Sequence, residues 1–256
     1  MDLVTSADGT PIAFRTAGRG RAIVFVPGAF NDHTVFEPLA GALQDDFTVV
    51  TYDRRARGAS GDTPPYSIER EIEDLAAVIG QAGGTAAVFG FSSGAMLALR
   101  AAAAGPAAGS LTHLFLYEAP FRFGSPPLAA DLPGRLEALI HAGRPGDAVA
   151  LFQLEGIGLP PQAVEQARGA AYWPALEAMA QSTVYDATIT TRLGLPTPEM
   201  NAVTTPTLVL WGARTWPVLK QWSAALLPGA QHLELPGGEG HGIAVDATAA
   251  AVRAFC

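Results

Sequence analysis

Thr85-Ala86-Ala87-Val88-Phe89-Gly90-Phe91-Ser92-Ser93-Gly94-Ala95-Met96 is the stretch that decides how this 256-residue chain is read. Thr85 to Gly90 is a short apolar run that fits a buried strand, and Ser93 to Ala104 is a helix-like stretch rich in small residues. Gly90-Phe91-Ser92-Ser93-Gly94 therefore falls where a strand turns into a helix, the context that a G-x-S-x-G pattern requires. A serine at such a boundary is forced onto a sharp turn, and small residues at both ends let strand and helix approach closely. The turn lifts the Ser92 Oγ clear of the sheet, beside the positive end of the following helix. The Ser93 N–H would then point at a developing oxyanion. Ser92 is a candidate nucleophile.

Working outward, the flanking segments repeat the same alternation of strand and helix. Leu3 to Thr5 and Pro11 to Arg15, separated by Asp8-Gly9, read as a hairpin. Ala22 to Val26, ended by Pro27-Gly28, and Phe47 to Tyr52 are further buried strands, and an Arg/Gly turn runs from Asp53 to Gly61. Ser67 suits the N-cap of a helix reaching Gln81, with Ile68, Ile72, Leu75, Val78 and Ile79 on one face. Leu111 to Tyr117 is the next strand. Between Phe121 and Thr204 strand-like runs vanish, and helical segments occur at Leu132 to Ala142, Asp147 to Leu154, Pro161 to Ala171 and Trp173 to Gln181. The sheet pattern resumes at Pro206 to Trp211 and His232 to Leu235. The expected architecture is α/β: a mostly parallel sheet flanked by helices, its core formed by residues 1–120 and 205–256. Residues 121–204 would be a helical cap inserted between strands 6 and 7, or else a block that only completes the core.

Composition narrows the class. Apolar residues make up 49% and charged residues 16% of the chain, enough for a sizeable core. A net charge of −8, with no dense Lys/Arg cluster outside the Arg54, Arg55, Arg57 turn, argues against nucleic acid. The start of the chain has no basic segment followed by an apolar one, and the apolar stretch from Ala95 to Ala108 is broken by Arg100. Neither a signal peptide nor a membrane span is expected, and the expected location is the cytoplasm. The single cysteine, Cys256, excludes an intramolecular disulfide and a Cys-based metal site. No phosphate cradle or His/carboxylate cluster stands out, so no metal or cofactor is expected.

With these motifs the chain resembles the α/β-hydrolase superfamily over nearly its whole length. Val24-Phe25-Val26-Pro27-Gly28-Ala29 resembles that family's strand and His-Gly-x oxyanion loop, with Pro27 in place of the histidine. The resemblance gives the second oxyanion donor to the Ala29 N–H, which needs no particular side chain. Asp53-Arg54-Arg55-Ala56-Arg57-Gly58-Ala59-Ser60-Gly61 is similar to the family's Asp-x-x-Gly-x-Gly-x-Ser turn, with Ala56 at one glycine position, and is read as structural.

His241 lies in Gly237-Gly238-Glu239-Gly240-His241-Gly242, directly after the last expected strand, where a glycine loop can carry an imidazole to the nucleophile. His113 and His232 fall in strands, His141 ends a helix, and His33 lies on the wrong loop to be the base. The acid is less direct. In many relatives an Asp follows the strand that here ends at Trp211-Gly212, but this chain has Thr215 in that place. The family's other acid position is the end of the preceding core strand, where the sequence reads Tyr117-Glu118-Ala119-Pro120. A lone carboxylate after an apolar run is costly unless paired, and a histidine that becomes imidazolium would be such a partner. Glu118 is thus the candidate acid or, alternatively, a structural Glu bonding backbone amides. Asp246 is a weaker candidate that looks like a helix-dipole residue.

Glu118-Ala119-Pro120, the Ser92-Ser93 pair and the Val26-Pro27 strand together resemble the zearalenone lactonase group of that superfamily. The resemblance implies a small hydrophobic ester or lactone, cleaved through an acyl-enzyme on Ser92. Dehalogenase and epoxide hydrolase chemistry is excluded because those enzymes use a carboxylate where Ser92 stands. The same site also fits a lyase, a cyclase or a C–C bond hydrolase, and a binding protein that retains the pocket without turnover. Phe30, Met96, Phe121, Trp173 and Trp216 are the expected pocket residues.

Overall fold

The computed structural model describes residues 1–256. Eight strands form one sheet in the order β1-β2-β4-β3-β5-β6-β7-β8. β1 (Asp2–Thr5) and β2 (Pro11–Gly18) pair antiparallel across the Asp8-Gly9 turn, and β2 continues antiparallel onto β4 (Phe47–Tyr52). β3 (Arg21–Val26), β4, β5 (Ala86–Phe91), β6 (Leu111–Tyr117), β7 (Thr207–Gly212) and β8 (Gln231–Leu235) run parallel. This is the mostly parallel sheet that the strand pattern leads one to expect, and its architecture is the one the motif resemblance implies.

The central strands read as unbroken apolar runs because both faces of a parallel sheet are covered. Successive residues still alternate. Ile23, Phe25, Phe89, Phe91, Phe115 and Tyr117 enter one core with α1 (Glu37–Leu43), while Val24, Val26, Val88, Leu114 and Leu116 enter the other. The second core is closed by α2 (Ile68–Gln81) and α3 (Ser93–Ala103). Ile68, Ile72, Leu75, Val78 and Ile79 of α2 are all buried there, the face that its period predicts. Ser67 stands at the N-cap, but its side chain makes no capping bond.

Between β6 and β7 the chain is helical throughout. It forms α4 (Leu132–His141), α5 (Pro145–Leu151), a π-helical turn over Phe152–Ile157, α6 (Pro161–Arg168), α7 (Trp173–Ala178), α8 (Ala180–Arg192) and α9 (Pro198–Asn201). α8 departs from expectation, since the sequence pattern stops a helix near Gln181. Its interior reads Ser182-Thr183-Val184-Tyr185-Asp186-Ala187-Thr188-Ile189-Thr190, rich in residues of low helix propensity. All nine are buried, so no polar face marks the helix. The threonine hydroxyls are satisfied inside it: Thr188 donates to the Val184 carbonyl at 2.7 Å and Thr190 to that of Asp186 at 2.9 Å. After β7 come α10 (Pro217–Ala225) and, after β8, α11 (Val245–Phe255), which packs beside α1. No helix is long and apolar enough to cross a membrane.

Candidate active site

The sheet order sets the site. Moving across β3, β5, β6, β7 and β8, the carboxyl ends of neighbouring strands present Ala29, Ser92, Glu118, Thr215 and His241 in turn. In open α/β sheets ligands bind at this end. Ser92 leaves β5 at φ 55°, and a Cβ added to Gly90 would fall 2.4 Å from Ala95 Cα. One added to Gly94 would fall 2.2 Å from the Val26 carbonyl oxygen, so the pentapeptide's glycines are dictated by close approach. Phe30 (φ 57°) and Glu118 (φ 50°) are also left-handed. Three of the five non-glycine residues with positive φ thus border one site, which is where proteins store such strain.

Glu118 is fully buried. Its Oε1 accepts the Gly212 N–H at 2.9 Å, and its Oε2 lies 2.5 Å from His241 Nδ1. The two readings of this residue therefore combine: it braces a strand end and holds the histidine. An Nδ1–H donated to a carboxylate leaves the neutral ring's Nε2 lone pair available for a proton. The ring packs against Phe91 at 4.8 Å and Trp216 at 5.5 Å between centroids. Tyr117 anchors the loop that carries it. Its hydroxyl donates to the Gly242 carbonyl at 3.0 Å and accepts the Ala244 N–H at 3.2 Å, and burial pushes its pKa up to about 12. Ser92 and His241 line the same cavity without a direct hydrogen bond, a looseness common before substrate is bound. Thr215 sits beside this loop, in a bridge to Gly240, and its buried hydroxyl has no partner. Asp246 lies in the first turn of α11 and is exposed.

Behind the end of β3 and the loop that follows it, the Asp53–Gly61 turn, read from sequence as structural, forms a buried ion network. Arg57 donates to the Gly28 carbonyl at 2.5 Å and to Asp186 Oδ2 at 2.6 Å. Arg54 reaches the Pro27 carbonyl at 3.2 Å and Asp186 Oδ1 at 3.0 Å, and grips Glu71 with Nε and Nη2. The Ser93 hydroxyl donates to Asp186 Oδ1 at 2.7 Å. In a trans peptide the C=O and N–H point opposite ways. Holding the Gly28 carbonyl from behind therefore turns the Ala29 N–H the other way, and that N–H has no acceptor within the protein. The Ser93 N–H leads α3, where no intrahelical acceptor exists. Burial opposes the charge of Asp186, but Arg57, Arg54 and the Ser93 hydroxyl hold its carboxyl below the usual range. Asp53 braces the turn: it accepts the His33 and Ala59 N–H groups and lies 2.7 Å from His33 Nδ1. Asp32, His33 and Asp53 have ligand-type atoms within 4.8 Å of one another, yet these bonds and the Asp32 cap on Thr34 already occupy them.

The cavity in front of Ser92 is about 130 Å³. It is lined from below by Ala29, Phe91, Ser92, Ser93 and His241, and from the helical segment by Phe152, Gly156, Ile157 and Thr190. Asn31, Pro120, Arg122, Leu128, Trp216, Val218, Leu219 and Trp222 complete the wall. Of the expected pocket residues, Trp216 is there. Phe30 stands behind the wall, edge-on to Phe152 at 5.5 Å. Met96 and Phe121 do not line it: both are buried in the second core, Met96 on the inner face of α3 and Phe121 in the loop that follows β6. Trp173 does not either: it packs among α5–α8 and donates to Glu177 at 2.8 Å. Arg122, Phe152 and Trp222 were missed, since no spacing links residues brought together from three distant segments.

A sequence model of the alpha/beta hydrolase family matches residues 23–254. An alpha/beta hydrolase from Sphaerobacter thermophilus DSM 20745 shares 43% identity over 99% of both chains, at a TM-score of 0.88. A thermophilic esterase from Thermogutta terrifontis (23% identity, 99% of this chain and 97% of that one, TM-score 0.72) shares the fold. So does the enol-lactonase from Burkholderia xenovorans LB400 (22% identity, 99% of both chains, TM-score 0.68). An uncharacterized hydrolase, YraK, of Bacillus subtilis (strain 168) is 34% identical over 95 residues, covering 36% of this chain and only 35% of that relative's length. With the sheet order and the strand-end site described above, the conclusion is that the chain belongs to the alpha/beta hydrolase family.

Proposed function

We propose that this hydrolase cleaves small carboxylic esters or lactones through an acyl-enzyme on Ser92, with residues 121–204 acting as a cap over the site. The observation that carries the reading is the buried Glu118 carboxylate 2.5 Å from His241 Nδ1, in a site that also holds Ser92 on a strained turn. The Ser92 Oγ forms a bond to the substrate carbonyl carbon while His241 Nε2 takes its proton, and Glu118 stabilises the resulting imidazolium. The carbonyl π pair moves onto oxygen, where the Ala29 and Ser93 N–H groups hold it. Collapse of this adduct expels the alcohol oxygen, which leaves with the proton from His241. Water then repeats the sequence: His241 takes one proton, the hydroxide adds to the acyl carbon, and Ser92 departs reprotonated. The cycle consumes one ester bond and one water and returns Ser92 and His241 to their starting states. The wall is largely apolar, with Phe91, Leu128, Phe152, Ile157 and Trp222 among its residues, which suits the carbon skeleton of a small ester or lactone.

The test is turnover of p-nitrophenyl acetate and butyrate by the wild type, Ser92→Ala and His241→Ala. Activity should fall by roughly 10⁴-fold or more in each variant. Ester turnover that survives Ser92→Ala rejects a serine mechanism. Stoichiometric labelling by a fluorophosphonate without turnover of any ester or lactone supports the lyase, cyclase or binding alternatives instead.

A further inference from the structure

Arg122 is a cation in the cavity wall that nothing in the protein neutralises. It lies half-buried just beyond β6, four residues after Glu118, and lines the same cavity as Ser92 and His241. Its position is fixed. The backbone N–H donates to the Gly194 carbonyl at 2.8 Å, Nε donates to the Pro126 carbonyl at 2.7 Å, and the guanidinium lies over the Trp222 ring at 5.3 Å. Nη1 and Nη2 have no acceptor within the protein, and no carboxylate lies within ion-pair distance. None of the 17 residues lining the cavity is an Asp or Glu, and the Glu118 carboxylate is hidden behind His241. Burial without an opposing charge lowers the Arg122 pKa.

These facts contrast with the other buried guanidiniums, Arg54, Arg55 and Arg57, each of which meets a carboxylate at 2.6 to 3.0 Å or closer. A planar fork, pinned on one edge and lying over an indole, presents its two remaining nitrogens as a pair of donors that suits a carboxylate. Trp222 under the guanidinium and Leu128 and Leu219 elsewhere in the wall are apolar, so within this cavity Arg122 is the one permanent charge that can pair with an anion.

We infer that Arg122 is an anion-binding subsite, and that the preferred substrate is a small ester or lactone bearing a carboxylate group. This inference rests on the ester/lactone reading of the site. It adds that one end of the substrate is held by charge while the acyl carbon meets Ser92.

The experiment compares mono-p-nitrophenyl succinate with its neutral methyl ester, methyl p-nitrophenyl succinate, for the wild type, Arg122→Gln and Arg122→Lys. The wild type should prefer the anionic ester, and Arg122→Gln should lower the anionic-to-neutral ratio of kcat/KM by roughly ten- to hundredfold. The loss should fall mainly on KM, and Arg122→Lys should keep part of the preference. In parallel, calorimetry with succinate on Ser92→Ala and on Ser92→Ala/Arg122→Gln reads the subsite without chemistry. Succinate should bind the first chain and not the second. A wild type that favours the neutral ester, or a ratio unchanged in Arg122→Gln, overturns the inference while leaving the serine mechanism intact. If neither ester is turned over but succinate binding still depends on Arg122, the catalytic reading falls and the anion subsite stands.

Discussion

Glu118 and Asp186 are both carboxylates without exposed surface at the same end of the sheet, yet their partners differ in kind. Glu118 bonds one backbone amide and one imidazole, and that imidazole is 23% exposed and lines the cavity. Asp186 is enclosed by two guanidiniums and a serine hydroxyl, and it touches no open space. A buried acid beside a titratable group can assist proton transfer, because the partner gains and loses charge during a cycle. A buried acid beside arginines cannot, since their charge is permanent. It fixes shape instead, here the Pro27 and Gly28 carbonyls and the Ser93 side chain. Equal burial therefore hides two roles, one expected to act on rate and the other on architecture.

That contrast is exposed to direct attack. Glu118→Gln keeps the shape but removes the charge and sets the wrong histidine tautomer, so kcat for p-nitrophenyl acetate should fall by roughly 10³- to 10⁴-fold. Its thermal midpoint should change far less than its rate. A loss under tenfold, read by steady-state kinetics, would move the acid elsewhere.

Asp186→Asn should show the reverse weighting. Removing one member of a buried charge network costs about 3–5 kcal/mol, which for a domain of this size lowers the melting temperature by roughly 6–20 °C. Calorimetry reads this directly. Where the variant stays folded, kcat should fall more than KM rises, because the Pro27-Gly28-Ala29 loop loses the arginines' support from behind. Thermal stability equal to the wild type would break the architectural role.

Acid supplies a smaller, graded version of the same test. The folded-state pKa of Asp186 is lowered, so its contribution to stability is present above the unfolded carboxylate value and lost as pH falls through the folded one. Asp8 behaves alike: burial opposes its charge, but bonds from Thr10 and Arg55 hold it at about 2. Asp74 has the opposite sign, since burial raises its carboxyl even against Arg55, and it weighs against the fold as pH rises. The melting-temperature gap between wild type and Asp186→Asn isolates one group. It should be full at neutral pH and shrink as pH falls below about 4.

How much of this could be read from the chain alone follows from the same contrast. Ser92 and Glu118 stand directly after strands and His241 in the glycine loop six residues beyond β8, where a motif or a lone polar residue is visible against its neighbours. Thr215, standing in the usual acid position, sharpened the choice of Glu118. Asp186 was not legible, because it sits in a helix built from β-branched residues with no polar face to give it away. Arg54 and Arg57 are legible only as members of a structural turn, and it takes the fold to show that α8 closes over them. Met96 and Phe121 misled for a related reason. They neighbour site residues in sequence, but adjacent residues on a strand end or a helix point into different layers.

The most direct measurement is mass mapping of the covalent adduct. Wild type and Glu118→Gln are incubated with a fluorophosphonate, digested, and the modified peptide sequenced. The account predicts one adduct per chain, on Ser92 in the peptide containing Gly90-Phe91-Ser92-Ser93-Gly94, formed far more slowly in Glu118→Gln. An adduct on another residue, or labelling at equal rates in the two chains, would contradict it.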